Sequence, residues 1–149
     1  MNESKPKLNV GRLVALAVVA ALLYGAADLI FSWNPIAAQP YLVNQHLPVF
    51  RAEPAFLLGF VAEGINGWVS ALTFTLIEGA LLGSPWKRGL LFGLIICGVW
   101  VLSGTLSVTV WLDVPPKLSL MNVIFGLPKS LAIAWGISWF WHRYPAHGR

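Results

Sequence analysis

The chain has 149 residues, of which 57% are hydrophobic and 11% are charged, with a net charge of +4 and a mean hydropathy of +0.70. Water-soluble domains carry about one-quarter charged residues, so this composition excludes an ordinary soluble globule. The basic residues form no clustered tract, which argues against nucleic acid as a partner and leaves the anionic headgroups of a lipid bilayer as the expected one.

Four apolar stretches are long enough to cross a bilayer, which takes about 20 helical residues at about 1.5 Å per residue. They cover residues 13–33, 55–82, 89–112 and 118–141. Each stretch should be helical, because unpaired backbone groups are costly in lipid and the chain lacks the alternating segments of about ten residues that build a barrel. We therefore predict an all-α fold, a single domain over residues 1–149 whose four transmembrane helices form an up-down bundle.

The first stretch has two interpretations. Lys5, Lys7 and Arg12 would suit the basic end of a secretory signal, and Gly-Ala-Ala at 25–27 resembles a cleavage site. The apolar run continues to Trp33, which is longer than a signal core needs. The sequence therefore favours a transmembrane helix.

The basic residues alternate between the two sides of the predicted bundle with each crossing. One side carries Lys5, Lys7, Arg12, Lys87, Arg88, Arg143 and Arg149. The other side carries Arg51 and Lys117, which Glu53 and Asp113 offset. Because Lys and Arg are enriched on the cytoplasmic side of membrane proteins, this distribution predicts that both chain termini lie in the cytoplasm.

Residues 34–54 should form a long extracytoplasmic loop between the first two helices. Prolines interrupt this loop at positions 35, 40, 48 and 54, so it is not one continuous helix. Long loops are often functional. The loop is either an ordered cap over the outer helix ends or a plain connector, and the sequence favours neither.

Small residues recur at helical spacing on three of the predicted helices. They are Ala17, Ala21, Gly25, Gly79, Gly83, Gly89 and Gly93. Such stripes allow close backbone approach in lipid, either between helices of one chain or between the subunits of a homo-oligomer. Packing within the chain is the simpler interpretation.

Lys129 lies near the middle of the fourth predicted helix and directly follows Pro128. A lone ammonium at that depth costs several kcal/mol, so an acidic partner is expected. Glu63 on the second helix lies at a similar depth, and we predict that it faces Lys129. Pro128 removes a backbone donor and clashes with the carbonyl of Ile124, which predicts a helix kink that frees this carbonyl to solvate Lys129.

The polar residues of the predicted spans form a possible transport or ligand site. This intramembrane polar cluster consists of Glu63, Asn66, Ser70, Lys129, Asn122, Asp28 and Glu78. Two interpretations stay open: a hydrogen-bonded network that sets helix register, or a site that binds and releases a proton or an anionic group. Burial and pairing act in opposite directions on both charged groups, so the protonation states of Glu63 and Lys129 stay open as well.

No metal, haem or other cofactor is expected. His46 lies in the outer loop, and His142 and His147 follow the fourth predicted helix, so none is placed to ligate haem within the membrane. Cys97 is the single cysteine and is interpreted as a packing residue. Because no nucleophile motif, phosphate-binding glycine loop or zinc-protease signature is present, the sequence identifies no catalytic residue and favours a protein that is not an enzyme.

Three segments carry a resemblance to a known group of proteins. They read GRLVALAVVAALLYGAADLIF, RGLLFGLIICGVW and PPKLSLMNVIFGLPKSLAIAWG. In hydropathy and glycine placement they resemble small uncharacterised four-helix bacterial membrane proteins grouped under domains of unknown function. The resemblance implies a bacterial inner-membrane location and supplies no functional residues.

Three functions fit these observations, in decreasing order of preference. The first is a non-enzymatic accessory subunit of a larger membrane complex or a homo-oligomer, which the small-residue stripes favour. The second is a small proton-coupled transporter or channel that uses the polar cluster, with Glu78 and Asp28 as relay groups on the two sides. The third is a membrane enzyme or ligand carrier whose cavity is covered by the outer loop.

Overall fold

The computed structural model of the chain describes residues 9–34, 56–111 and 115–144. Within these ranges the fold consists of helices and short connections, which confirms the predicted all-α class. The helices are α1 (Val10–Trp33), α2 (Phe56–Ile77), α3 (Pro85–Ile96), α4 (Ser103–Trp111) and α5 (Pro116–Arg143). Apart from Asn34, the predicted extracytoplasmic loop lies outside the described residues.

Four segments are long and apolar enough to cross a membrane, as predicted. They are Val10–Ile30, Phe60–Ala80, Pro85–Ser107 and Pro116–Arg143. The third segment begins at Pro85, earlier than the predicted residue 89, because proline is well accommodated in the first helical turn. It is also not one regular helix, since the π-helical stretch Cys97–Leu102 joins α3 to α4.

The connection between α2 and α3 is short. α2 ends in a 3-10 turn at Glu78–Ala80. Gly83 follows with a φ of +98°, a left-handed conformation that glycine adopts without strain. Pro85 then begins α3, and this tight connection keeps Glu78 close to the first turn of α3.

α1 and α2 pack closely along one face, and we call them the first helix pair. Gly67 lies against the backbone of Ala21, because a Cβ atom at position 67 would approach the Ala21 nitrogen to 2.5 Å. On the same face, the Tyr24 hydroxyl and Ser70 Oγ form a buried hydrogen bond of 2.8 Å. Close backbone approach increases the dispersion contacts that hold helices together in lipid.

The second helix pair consists of α3, the π-helical stretch and α4 on one side and α5 on the other. A Cβ atom at Gly93 would lie 2.9 Å from the Leu131 Cα, and one at Gly126 would lie 2.5 Å from Val101 Cγ1. Val101 comes after Gly93 in the chain, but its α5 contact, Gly126, comes before Leu131, the α5 contact of Gly93. The two elements therefore run in opposite directions.

The two helix pairs meet mainly through α1 and α5, and the interior between them is apolar. Buried side chains in this interior include Leu16, Ala17, Ala20, Phe74, Phe92, Ile133, Ala134 and Ile137. The Phe74 ring packs against Phe92 at 5.1 Å between ring centroids and against Trp141 at 6.4 Å. We call these three rings the aromatic layer, and they separate the polar groups near the middle of the bundle from those at the end where α1 begins.

Small residues support packing within the chain at only some of the predicted positions. Ala17 is fully buried, and Gly89 and Gly93 lie against α5. A Cβ atom at Gly25 or Gly79 would meet no other atom within 4 Å. Among the described residues, these two glycines therefore bring no helices together.

Pro128 lies inside α5, which stays helical from Pro116 to Arg143. The proline therefore does not end the helix, and the predicted kink stays a prediction. Gly126, two residues earlier, packs against Val101 of the π-helical stretch. The π-helical stretch thus packs against α5 two residues before its proline.

Candidate functional site

The centre of the candidate site is an ion pair between α1 and α5. Lys129 Nζ donates a hydrogen bond to Asp28 Oδ1. Lys129 lies near the middle of α5, and Asp28 lies five residues before the end of α1. Both side chains are partly covered, with 22% of the Lys129 side chain and 40% of the Asp28 side chain exposed.

The direct partner of Lys129 differs from the one that the sequence predicts. Glu63 was expected because it lies at a similar depth, yet the ion pair is made by Asp28. The reason is helix adjacency: α5 packs against α1, where Gly136 meets the Leu23 side chain. Glu63 on α2 is still close enough for its carboxyl to interact with the Lys129 charge.

Glu63 forms the second part of the site. Its carboxyl lies close enough to the Asp28 carboxyl and to the Asn66 side chain to interact with both. Its Oε2 atom is buried and has no hydrogen-bond partner among the described residues. We call Asp28, Glu63, Asn66 and Lys129 the central site, in which two carboxyl groups share one ammonium group.

Tyr24 and Ser70 form the base of the central site. The Lys129 ammonium lies 5.9 Å from the centroid of the Tyr24 ring, within reach of a cation–π attraction. The Tyr24 hydroxyl is held by Ser70. Tyr24 was not predicted as a site residue, because an aromatic residue in an apolar run is usually a packing residue. Its position four residues before Asp28, on the same helical face, is the signal that would have identified it.

Asn122 was predicted in the polar cluster, but its observed hydrogen bond belongs to another contact. Its Nδ2 donates to Thr105 Oγ1 at 2.6 Å, which joins α5 to α4. Asn122 precedes Lys129 by seven residues, or about 10 Å along a helix. Its hydrogen bond supports the second helix pair, and Thr105, which the sequence did not single out, is buried there.

Glu78 was also predicted in the polar cluster, and the structure places it in a separate group of charges. It follows Glu63 by fifteen residues, or about 22 Å along a helix. Glu78 Oε1 accepts a hydrogen bond from Arg88 Nη1 and lies 3.1 Å from His142 Nε2. Arg12 adds a Coulomb interaction with Glu78. We call Arg12, Glu78, Arg88 and His142 the basic-end junction.

The sequence predicted His142 beyond the end of the fourth helix. This was wrong, because α5 continues to Arg143 and includes His142. Its Nδ1 lies 2.7 Å from the backbone oxygen of Ser138. The Ser138 hydroxyl donates to the Pro85 carbonyl oxygen at 2.7 Å, so this hydroxyl proton is already used. Both ring nitrogens therefore face oxygen atoms, Nδ1 the Ser138 carbonyl and Nε2 the Glu78 carboxyl.

Arg12 joins the start of α1 to the end of α5. Its guanidinium lies over the Trp141 ring, 3.4 Å from the centroid, and its Nη2 donates to the Trp141 carbonyl oxygen. Stacking and hydrogen bonding together suit the planar guanidinium of arginine. The contact brings a further positive charge to the basic-end junction.

No cluster of three or more His, Cys, Asp or Glu side chains in the described ranges has the arrangement of a metal site. Comparisons with models of protein families, with curated proteins and with solved structures gave no match. The resemblance to small four-helix bacterial membrane proteins therefore stays a prediction. The central site is identified by its geometry alone.

Proposed function

We propose that the chain is a small proton-coupled transporter or channel of the bacterial inner membrane, in which the central site binds and releases the proton. In this proposal the four helices cross the membrane up and down, with both termini in the cytoplasm, as the distribution of basic residues predicts. Because the central site holds two acids and one base, a small cation is the cargo class that it suits.

One observation carries the proposal: the buried Glu63 Oε2 atom has no partner among the described residues, while the neighbouring Asp28 is already paired with Lys129. With all three groups ionised, the site holds one uncompensated negative charge in a span that is otherwise apolar. Such a charge is costly in the membrane, and one proton removes it.

The chemistry of the proton-bound state follows from the contacts. In this proposal the protonated Glu63 carboxyl donates its O–H to the neighbouring Asp28 carboxylate. Asp28 keeps its ion pair with Lys129. Loss of the proton leaves two carboxylates competing for one ammonium, a state that a cation stabilises. Intramembrane ionisable groups with this kind of imbalance commonly mark ion and proton pathways.

Infrared spectroscopy of the protein in lipid tests proton binding directly. The band of a protonated carboxyl group should be present in the parent protein and absent in the Glu63→Gln variant. Glu63→Asp keeps a titrating group and is the matched control, which should retain the band. Identical spectra for the parent and Glu63→Gln would show that Glu63 holds no proton.

Proteoliposomes test transport. An imposed pH gradient should dissipate faster with the parent protein than in empty vesicles, as reported by an internal pH-sensitive dye. Glu63→Gln and Lys129→Met should return the rate to that of empty vesicles, whereas Glu63→Asp should keep part of it. Flux that is unchanged in Glu63→Gln and Lys129→Met contradicts the proposal.

A second candidate function is an accessory or homo-oligomeric subunit, and the exposure of Asp28 favours it. Its side chain is 40% exposed although it lies within the span Val10–Ile30. A charged group exposed to lipid is costly, so a helix from another chain would be stabilising there. Native mass spectrometry on gently released protein tests this function. A reproducible foreign subunit or a homo-oligomer supports it, and a monomer alone contradicts it.

A further inference from the structure

The contacts within each helix pair differ in kind from those between the pairs. Within the pairs, glycines bring backbones together, as at Gly67 against Ala21 and at Gly93 against Leu131. Between the pairs, charged groups meet at two places beside the apolar interior. Each ion pair among the described residues reaches the second helix pair, since Asp28 lies on α1, Glu78 lies in the turn that follows α2, and their partners lie on α3 and α5.

These two kinds of contact respond differently to motion. A glycine that touches a backbone leaves no room for sliding, because close packing resists shear and a small separation already loses dispersion energy. An ion pair at a membrane surface exchanges its partner for water at modest cost. The close contact between the pairs, Gly136 against Leu23, involves the end of a flexible side chain. The backbone contacts within each helix pair therefore resist sliding more strongly than the charged contacts between the pairs do.

Glu78 is placed to control this interface at the basic end. It lies in the turn that follows α2, and its carboxylate contacts Arg88 at the start of α3 and His142 at the end of α5. Its charge also attracts Arg12 at the start of α1. Loss of the Glu78 charge would leave three basic side chains from three helices facing one another. Their repulsion would separate the helix ends.

The aromatic layer lies between the basic-end junction and the central site. Phe74 comes from the first helix pair, whereas Phe92 and Trp141 come from the second. The layer is therefore shared between the two helix pairs. If the pairs separate at the basic end, Phe74 moves away from Phe92 and Trp141, and the central site gains access from that side.

We propose that the two helix pairs move against each other as rigid bodies and that Glu78 is the latch that keeps their basic ends closed over the central site. Because the latch controls access to the proton-binding group, its role rests on the proposed function. Glu78 is thus a positioning residue that acts through helix arrangement, whereas Glu63 is the residue that takes the proton. Alternating exposure of a central site by rocking of two bundles is a general transport mechanism.

Distances between pairs of spin labels on the full chain in lipid nanodiscs test the latch. Cys97 is the single cysteine, so Cys97→Ala supplies a cysteine-free parent. Labels at Val10→Cys and Trp86→Cys report between the helix pairs at the basic end, and labels at Val10→Cys and Leu76→Cys report within the first pair. All three positions are more than half exposed, at 67%, 53% and 71%.

Glu78→Gln should lengthen and broaden the Val10–Trp86 distance distribution by several ångströms and leave the Val10–Leu76 distribution unchanged. Arg88→Gln, which removes one partner and keeps the carboxylate, should produce a smaller change in the same direction and serves as the second variant if Glu78→Gln does not fold. Unchanged Val10–Trp86 distributions in the folded variants overturn the latch. Equal changes in both label pairs overturn the rigid-pair arrangement.

The outcomes separate the latch from the proposed function. If Glu78→Gln changes the Val10–Trp86 distances but Glu63→Gln leaves the carboxyl band unchanged, the latch is retained and proton binding at Glu63 is rejected. If Glu63→Gln removes the carboxyl band but Glu78→Gln leaves the Val10–Trp86 distances unchanged, proton binding is retained and the latch is rejected.

Discussion

The central site and the basic-end junction use the same kinds of side chain in opposite proportions. In the junction, one carboxylate from Glu78 interacts with Arg88, His142 and Arg12. In the central site, the carboxyls of Asp28 and Glu63 share Lys129. An acid with several basic neighbours from different helices holds those helices together. An acid with too few basic neighbours is suited to exchange a proton.

This difference predicts a structural role for the basic-end junction and, under the proposed function, a proton-exchanging role for the central site. Removal of one partner from a fully paired buried charge is strongly destabilising, because it leaves the other charge uncompensated. An underpaired acid that holds a proton is already neutral, so its replacement by a neutral residue of the same size costs little. Stability measurements on matched variants therefore test the comparison directly, and the most sensitive position should be Lys129, whose charge serves two carboxyls.

Lys129→Met should have the largest effect. It removes the basic group of the central site and leaves Asp28 and Glu63 as two neighbouring carboxyls without a cation. We expect the free energy of unfolding to fall by about 3 kcal/mol, measured by reversible unfolding in mixed detergent micelles. The double variant Lys129→Met with Asp28→Asn removes both partners and should be more stable than Lys129→Met alone. Equal or additive losses would contradict the pairing of Asp28 with Lys129.

Glu78→Gln and Glu63→Gln make the same chemical change in the two regions. Glu78→Gln should lower the free energy of unfolding by about 2 kcal/mol, because it weakens charge-assisted hydrogen bonds from two basic side chains. Glu63→Gln should change it by less than about 0.5 kcal/mol, because glutamine keeps the size of the side chain and its amide can donate to Asp28 as the protonated carboxyl does in the proposed function. The same unfolding assay compares them. Similar losses in both variants would remove the distinction between the two regions.

Gly67→Ala tests how the first helix pair positions the central site. The added Cβ would lie 2.5 Å from the Ala21 nitrogen, so α2 has to shift and we expect a loss of about 1.5 kcal/mol. Gly64→Ala, one turn earlier on α2, meets no atom within 4 Å and is the matched control, with no loss expected. Thermal unfolding measures the stability of both variants. A larger loss in Gly64→Ala than in Gly67→Ala would place the helix contact elsewhere.

Tyr24→Phe should have the smallest effect. It removes the hydroxyl that bonds to Ser70 at 2.8 Å and keeps the ring beside Lys129. The expected loss is about 0.6 kcal/mol, typical of a hydrogen bond between helices in a membrane. A double-mutant cycle with Ser70→Ala isolates the bond, because the second change should add little once the first is made. Full additivity of the two losses would show that the hydroxyls do not interact.

Much of the fold could be predicted from the sequence, because hydropathy is a local property of the chain. The all-α class and the number of segments able to cross a membrane follow from runs of apolar residues, since lipid leaves the backbone no alternative to internal hydrogen bonds. The same energetics required an acidic partner for Lys129. The predicted helix ends were less accurate. The third span begins at Pro85 and the fourth ends at Arg143, because polar residues and proline near the membrane surface extend a helix beyond its apolar run.

Tertiary structure alone decided which groups meet. Depth in the membrane, which the sequence indicates, made Glu63 the expected partner of Lys129, but the packing of α5 against α1 selected Asp28. The junction of Glu78 with His142 joins residues 64 positions apart in the chain, and no local pattern relates them. Rotation and adjacency of helices depend on close contacts such as Gly67 against Ala21. Such contacts depend on the shapes of two surfaces at once, so they are settled only when the helices pack.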